Sequence, residues 1–415
     1  MGDRRPYATV GDRVSRRLAL PLVVAVLLAL VLPTTPVAAA QSVAEGQWWH
    51  EQWRMDEVWA ITDGSGVTVA VLDTGVDASV PELAGAVLPG RDFVGDADGR
   101  IDHDTDDEGH GTSMATLIAG NGSGTGMRGV APGAKILPVA LFDENGFGRS
   151  VSELQSEVVA EAIRWAADNG ADVISMSFAS GAFVCVPVLV EAVRYAVERD
   201  VILVASSGNL AGGPDEVPGM CPGVLTVGAT DALLEPWERS HRSEYVDVTG
   251  PGVYISSVGK GGRVLYGNGT SIATALVAGA IALVRSHFPD ASADEVLRRV
   301  IATARDLPAD APDGWDDATG YGIVRPYYAL TEQVPPDAPN PVFEELEKLA
   351  SAAPNGAPPM LSPPANAAPD DNESRVDGQR LLTALLLLAG LVLLVGAVVG
   401  MAVVLVRQRN RGPAA

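Results

Sequence analysis

The stretch Gly66-Val67-Thr68-Val69-Ala70-Val71-Leu72-Asp73-Thr74-Gly75 decides how the rest of the chain is read. It is an apolar, β-branched run closed by glycines, without the polar alternation of a half-exposed strand. A strand of that kind is buried on both faces, as strands of a parallel sheet are. Similar short runs recur at 135–141, 172–177, 201–205 and 224–229. Between and after them, apolar residues fall at helical spacing over 152–169, 187–199, 270–287 and 292–303. Ser150 or Ser152 is available as a cap for the first of these, and Gly170 as its terminator. Strands alternating with helices predict an α/β fold of three layers around a mostly parallel sheet. In such folds chemistry gathers at the carboxyl ends of strands, where Asp73 stands.

Three further groups fall at comparable positions. Gly109-His110-Gly111-Thr112 opens an apolar helical stretch, and an imidazole held there can act as a general base. Gly269-Thr270-Ser271 opens the long helix, placing a serine at the positive end of the helix dipole. Ser206-Ser207-Gly208-Asn209 closes a strand with a side-chain amide able to donate to an oxyanion. Taken singly, each has a plainer reading as a turn, a structural histidine or an N-cap. Their order along the chain, Asp then His then Ser, is one of three known orders of a catalytic triad.

With their flanks, these residues resemble the subtilase family of serine peptidases. The carrying motifs are Val69 to Asp77, Gly109 to Ala115, Arg128 to Ile136, Ser206 to Asn209 and Gly269 to Ala273, within a resemblance covering roughly Trp48 to Leu330. The resemblance implies a subtilisin-like fold, with Asp73, His110 and Ser271 as the triad and Asn209 in the oxyanion hole. It also implies that Ser177, Phe178 and Ala179 form an edge strand pairing with extended substrate. The chain departs from the family at Ile272, Ala275 and Ala179, where Met or Phe, Pro and Gly are usual. Altered packing, and at Ala179 a narrower pocket, are the expected consequences. Only about 30 residues separate Ala40 from Asp73, too few for a large folded pro-domain.

Composition sets the surroundings. The 415 residues carry 29 Lys and Arg against 52 Asp and Glu, a net charge of −23, which excludes a nucleic-acid partner. Residues 1–40 read as a signal peptide: arginines, an apolar run over 18–32, then small residues at Ala38 and Ala40. An uncleaved anchor, and export by the Sec or the twin-arginine route, stay open. Residues 41–333 form the peptidase domain and 334–380 a Pro/Ala-rich stalk, with a helical turn at Phe343 to Leu349. Leu381 to Val406 holds no charge and is long enough to span a bilayer, and Arg407, Arg409 and Arg411 mark 407–415 as a cytoplasmic tail. In an exported chain the two cysteines, Cys185 and Cys221, are expected to form a disulfide, worth roughly 3–4 kcal/mol in the chain-entropy model.

This layout resembles the mycosins of actinobacteria, which accompany type VII secretion systems. That resemblance implies protein or peptide substrates, narrow specificity and secretion-system membrane partners. A scaffold whose catalysis is dispensable is the competing function. No cofactor is required. The acidic run from Asp92 to Glu108 leaves three readings: a solvated loop, a calcium site without regular ligand spacing, or a cleft border favouring basic substrates.

Overall fold

The computed structural model describes residues 42–95, 97–104, 108–142, 153–179, 184–306 and 314–352. The signal peptide, the stalk beyond 352, the membrane span and the tail lie outside the described residues. In chain order, helices α1 (Trp49–Gln52) and α2 (Met55–Ile61) precede strands β1 (Thr68–Asp73) and β2 (Arg91–Asp92). Then come α3 (His110–Ala119), β3 (Lys135–Ala140), α4 (Glu153–Asp168), β4 (Val173–Met176), α5 (Pro187–Val197), β5 (Ile202–Ser206), β6 (Val224–Thr230) and β7 (Val248–Pro251). The hairpin β8 (Ile255–Val258) and β9 (Val264–Gly267) leads into α6 (Thr270–His287), α7 (Ala293–Ala302), α8 (Pro326–Thr331) and α9 (Pro341–Ala352).

β1 to β7 form one sheet in the order β2-β3-β1-β4-β5-β6-β7, and every pairing is parallel. The sheet separates two apolar layers. Val69 and Val71 of β1 face one layer with α3 and α6, while Ala70 and Leu72 face the other with α4 and α5. Period-two alternation of this sort, with both faces apolar, is why the strand shows no polar positions. The layout is the subtilisin-like α/β fold expected from the sequence.

Besides the short β2 and helices α1, α2 and α8, three features were not read from the sequence. β7 adds an edge strand, β8 and β9 pair antiparallel, and the chain from Ser42 is tied onto that hairpin. Ser256 Oγ donates to the Val43 carbonyl at 2.7 Å, and Trp49 and Trp53 are buried. The stalk boundary also moves. Residues 341–352 are helical, and Val342, Phe343 and Leu346 of α9 are buried against the domain instead of extending from it. Apolar residues one turn apart gave that segment a face to bury, despite its Pro/Ala-rich surroundings. Among the described residues, the one helix long and apolar enough to cross a membrane is α6, which is mostly buried in the core.

Candidate active site

Asp73 is the last residue of β1 and is fully buried. Its two carboxylate oxygens lie 2.9 and 3.0 Å from His110 Nδ1. A carboxylate only accepts, so Nδ1 carries the hydrogen and the Nε2 lone pair is the basic site. The close approach rests on glycine. A Cβ on Gly111 would stand 2.1 Å from the Gly75 carbonyl oxygen, and Gly75 itself holds φ +94° against the Ile101 carbonyl.

His110 begins α3, whose first backbone N–H groups have no partner within the helix. Each is met from outside. His110 N donates to Asp104 Oδ2 at 3.1 Å, Gly111 N to Thr74 Oγ1 at 3.0 Å and Thr112 N to Asp102 Oδ2 at 3.0 Å. Thr74 Oγ1 in turn donates to Asp102 Oδ1 at 2.8 Å. The helix that presents the base is therefore pinned by two carboxylates and one hydroxyl, with negative charge at its positive end.

This arrangement shows that the acidic run is not wholly a solvated loop. Asp102 is 1% exposed and Asp92 is buried against His103, with Nε2 2.8 Å from the carboxylate. Both serve local structure, while Asp98, paired with Arg100, and the exposed Glu108 lie at the surface. Asp96, Asp106 and Asp107 lie outside the described residues. Among the described residues, no three metal-ligating side chains gather at one point.

Ser271 is partly exposed in the first turn of α6, which packs beside α3 on the same face of the sheet. Asn209 follows β5 at the same edge. Its Oδ1 accepts from Thr270 N at 2.9 Å and from Thr270 Oγ1 at 3.0 Å. With Oδ1 accepting both bonds, the amide orientation is set, and Nδ2 keeps its hydrogens for another acceptor. Gly208 N donates to Thr270 Oγ1 at 3.2 Å, fixing the loop to the helix start.

Ser177, Phe178 and Ala179 continue past β4 in irregular backbone. Ser177 Oγ donates to the Ser271 carbonyl at 2.9 Å, a link the sequence did not announce. Phe178 is buried edge-on against Phe142, with centroids 4.9 Å apart. Of the three, Ala179 alone is partly open. The two departures in α6 are absorbed: Ala275 is buried and the helix runs unbroken, while Ile272 closes against the position of Gly267. Cys185 and Cys221 are joined by a disulfide, with Cα atoms 5.3 Å apart and both side chains buried.

Electrostatics favour a chargeable base. Burial pulls the His110 pKa down, but the charge of Asp73 and its hydrogen bond, with Asp102 and Asp104 behind, outweigh it and leave the pKa raised above 6.5. Asp102 is shifted upward by burial, against the pull of its hydrogen bonds from Thr112, Asp104 and Thr74.

Comparisons with known proteins place the chain in a family. Residues 64–322 match the model of the subtilase family. Fervidolysin of Fervidobacterium pennivorans is 34% identical over 302 residues, covering 67% of this chain but 42% of that protein. Mycosin-4 of Mycobacterium tuberculosis is 31% identical over 354 residues, covering 72% of this chain and 74% of its own length. The solved MycP3 protease from the type VII (ESX-3) secretion system superimposes with a TM-score of 0.59 at 31% identity, over 73% of this chain and 91% of that one. The chain belongs to the subtilase family of serine peptidases, and its relatives include the mycosins.

Proposed function

We propose that the chain is an exported, membrane-anchored serine endopeptidase of narrow specificity that serves a type VII secretion system. The observation that carries the catalytic part is the Asp73–His110 contact, held on a pinned helix beside α6, whose first turn carries Ser271. In this reading His110 Nε2 takes the Ser271 hydroxyl proton as Oγ attacks the peptide carbonyl. Asp73 orients the ring and stabilises the imidazolium. Asn209 Nδ2 and the Ser271 amide donate to the oxyanion. The imidazolium then returns the proton to the leaving amine, and water hydrolyses the acyl-enzyme by the same route in reverse. Extended substrate lies beside Ser177 to Ala179.

The secretion role rests on the likeness to Mycosin-4 and to a protease of a type VII system. Anchoring rests on the uncharged run Leu381 to Val406 with arginines after it. A fluorophosphonate probe should label wild type and not Ser271→Ala. The proteins secreted by strains carrying each form should differ in processing. Labelling that survives Ser271→Ala refutes the nucleophile. An unchanged set of secreted proteins, with secretion still dependent on the chain, favours the scaffold role.

A further inference from the structure

A second histidine–carboxylate contact lies behind the loop that carries Asn209. His241 is buried, and its backbone N–H donates to the Gly208 carbonyl at 3.0 Å. Its ring Nδ1 is 3.2 Å from the Leu210 carbonyl, and its Nε2 is 3.0 Å from Asp215 Oδ1. One residue therefore grips the chain immediately before and immediately after Asn209. We propose that His241, held by Asp215, is a positioning residue that fixes the Asn209 amide for oxyanion stabilisation and loosens it when the ring deprotonates. The proposal rests on the reading of Asn209 as the oxyanion donor.

The protonation state follows from the partners. A carbonyl oxygen and a carboxylate both accept, so both ring nitrogens must donate, and the bonded ring is an imidazolium. A neutral imidazole keeps one of the two bonds and presents a lone pair to the other oxygen. The titratable groups facing the ring are Asp215 and Glu216 from the β5–β6 connection. Arg242, Glu244 and Tyr245 belong to its own segment, and Arg242 is turned toward Asp317. Burial pulls the His241 pKa down, but Asp215, the Leu210 carbonyl and Glu216 leave it raised. Asp215 is held low by its bonds from His241 and Ser243 in spite of burial, so it is the charged partner. The ring's grip is thus complete below the His241 pKa and weakened above it, where the neutral ring keeps its bond to the Asp215 carboxylate and loses the Leu210 side, while the backbone bond to Gly208 remains. Because an oxyanion donor acts in the transition state, losing its alignment slows the chemical step and leaves ground-state binding alone.

The test uses the full chain and a fluorophosphonate probe, with saturation kinetics separating the maximal labelling rate from the half-saturating concentration. Asn209→Ala should label about 10²–10³ times more slowly. His241→Ala should lower the maximal rate about tenfold with half-saturation unchanged, and should cause no further loss in the Asn209→Ala background. Asp215→Asn, which keeps the shape at that position, should move the alkaline limb of the rate profile to lower pH. Multiplicative losses in the double variant, or an unmoved alkaline limb in Asp215→Asn, overturn the brace. An Asn209→Ala protein that labels at full speed overturns the donor assignment itself, and the brace with it.

Discussion

Asp102→Asn should destabilise the protein and slow Ser271 labelling, though Asp102 touches no triad residue. Its Oδ1 accepts from Thr74 Oγ1 at 2.8 Å and from Asp104 N at 3.0 Å. Its Oδ2 accepts from Thr112 N at 3.0 Å and from Thr112 Oγ1 at 2.5 Å. Thr112 Oγ1 accepts from Asp77 N at 2.9 Å, so its proton is directed to Asp102, whereas Thr74 Oγ1, which accepts from Gly111 N, has Asp73 Oδ1 at 3.3 Å as a second acceptor. An asparagine therefore fits best with its NH₂ group at the Oδ1 position, where the Thr74 hydroxyl turns to Asp73 and the Asp104 N–H loses its acceptor. With one donor left without an acceptor, the fold should lose about 1–3 kcal/mol. Asp104, which pins His110 N, is then held less firmly, and His110 shifts relative to Ser271. Urea denaturation should register the first effect and fluorophosphonate labelling the second. A variant with wild-type midpoint and wild-type labelling rate would refute the claim that this carboxylate holds the catalytic helix.

Three other outcomes follow from the same contacts. Ser177→Ala removes the hydroxyl bound to the Ser271 carbonyl, which should cost about 0.5–1.5 kcal/mol in a urea melt and slow labelling severalfold. Equal labelling rates would show that the link does not position α6. The labelling rate should rise with pH through a His110 pKa above 6.5, because only the neutral ring accepts the serine proton. Stability runs the other way: the His110–Asp73 pair contributes fully below about pH 6.5, and that contribution is lost as pH rises through the raised pKa. Finding activity and stability rising together across that window would contradict the pairing. Replacing Cys185 and Cys221 by alanine together should lower unfolding stability by roughly 3–4 kcal/mol, measured by denaturation. An unchanged melt would show that the disulfide does not restrain the unfolded chain.

How much could be read from sequence depended on what each residue was bonded to. β1, β3, β4, β5 and β6 were legible because strands buried on both faces need uninterrupted apolar runs, and Gly66, Gly75 and Gly170 punctuate them. β7 was not, since Val248-Thr249-Gly250-Pro251 is short and holds the two residues least suited to a strand. It forms because Val248 and Thr249 are covered from both sides. The β8–β9 hairpin carried a turn signal in Gly261-Gly262 that went unread. α9 was hidden by composition, because proline and alanine around it suggested an extended stalk. The triad motifs were legible because their flanking residues are fixed by sterics. Asp102, Asp104 and His241 were not, because their partners are largely backbone groups brought to them by loop conformation, which no residue pattern announces. A count of acidic residues cannot say which of them face inward.

The pattern of donors explains why these motifs extend beyond the reacting atoms. Thr74 is not one of the proposed reacting groups, yet its hydroxyl accepts from the second N–H of α3 and donates to Asp102, with Asp73 Oδ1 3.3 Å away. Gly111 is required because the carbonyl of Gly75 occupies the space a side chain would need. Thr270 plays the corresponding part for the nucleophile, tying Asn209 and Gly208 to the start of α6. At α3 a hydroxyl, and at α6 the Asn209 amide oxygen, meets a backbone N–H that would otherwise be left without a partner at a helix start. The geometry of the proposed triad is then set by backbone hydrogen-bond satisfaction as much as by attraction between its side chains. That is why loss of an acceptor such as Asp102, remote from the bond being cut, is expected to be felt at Ser271.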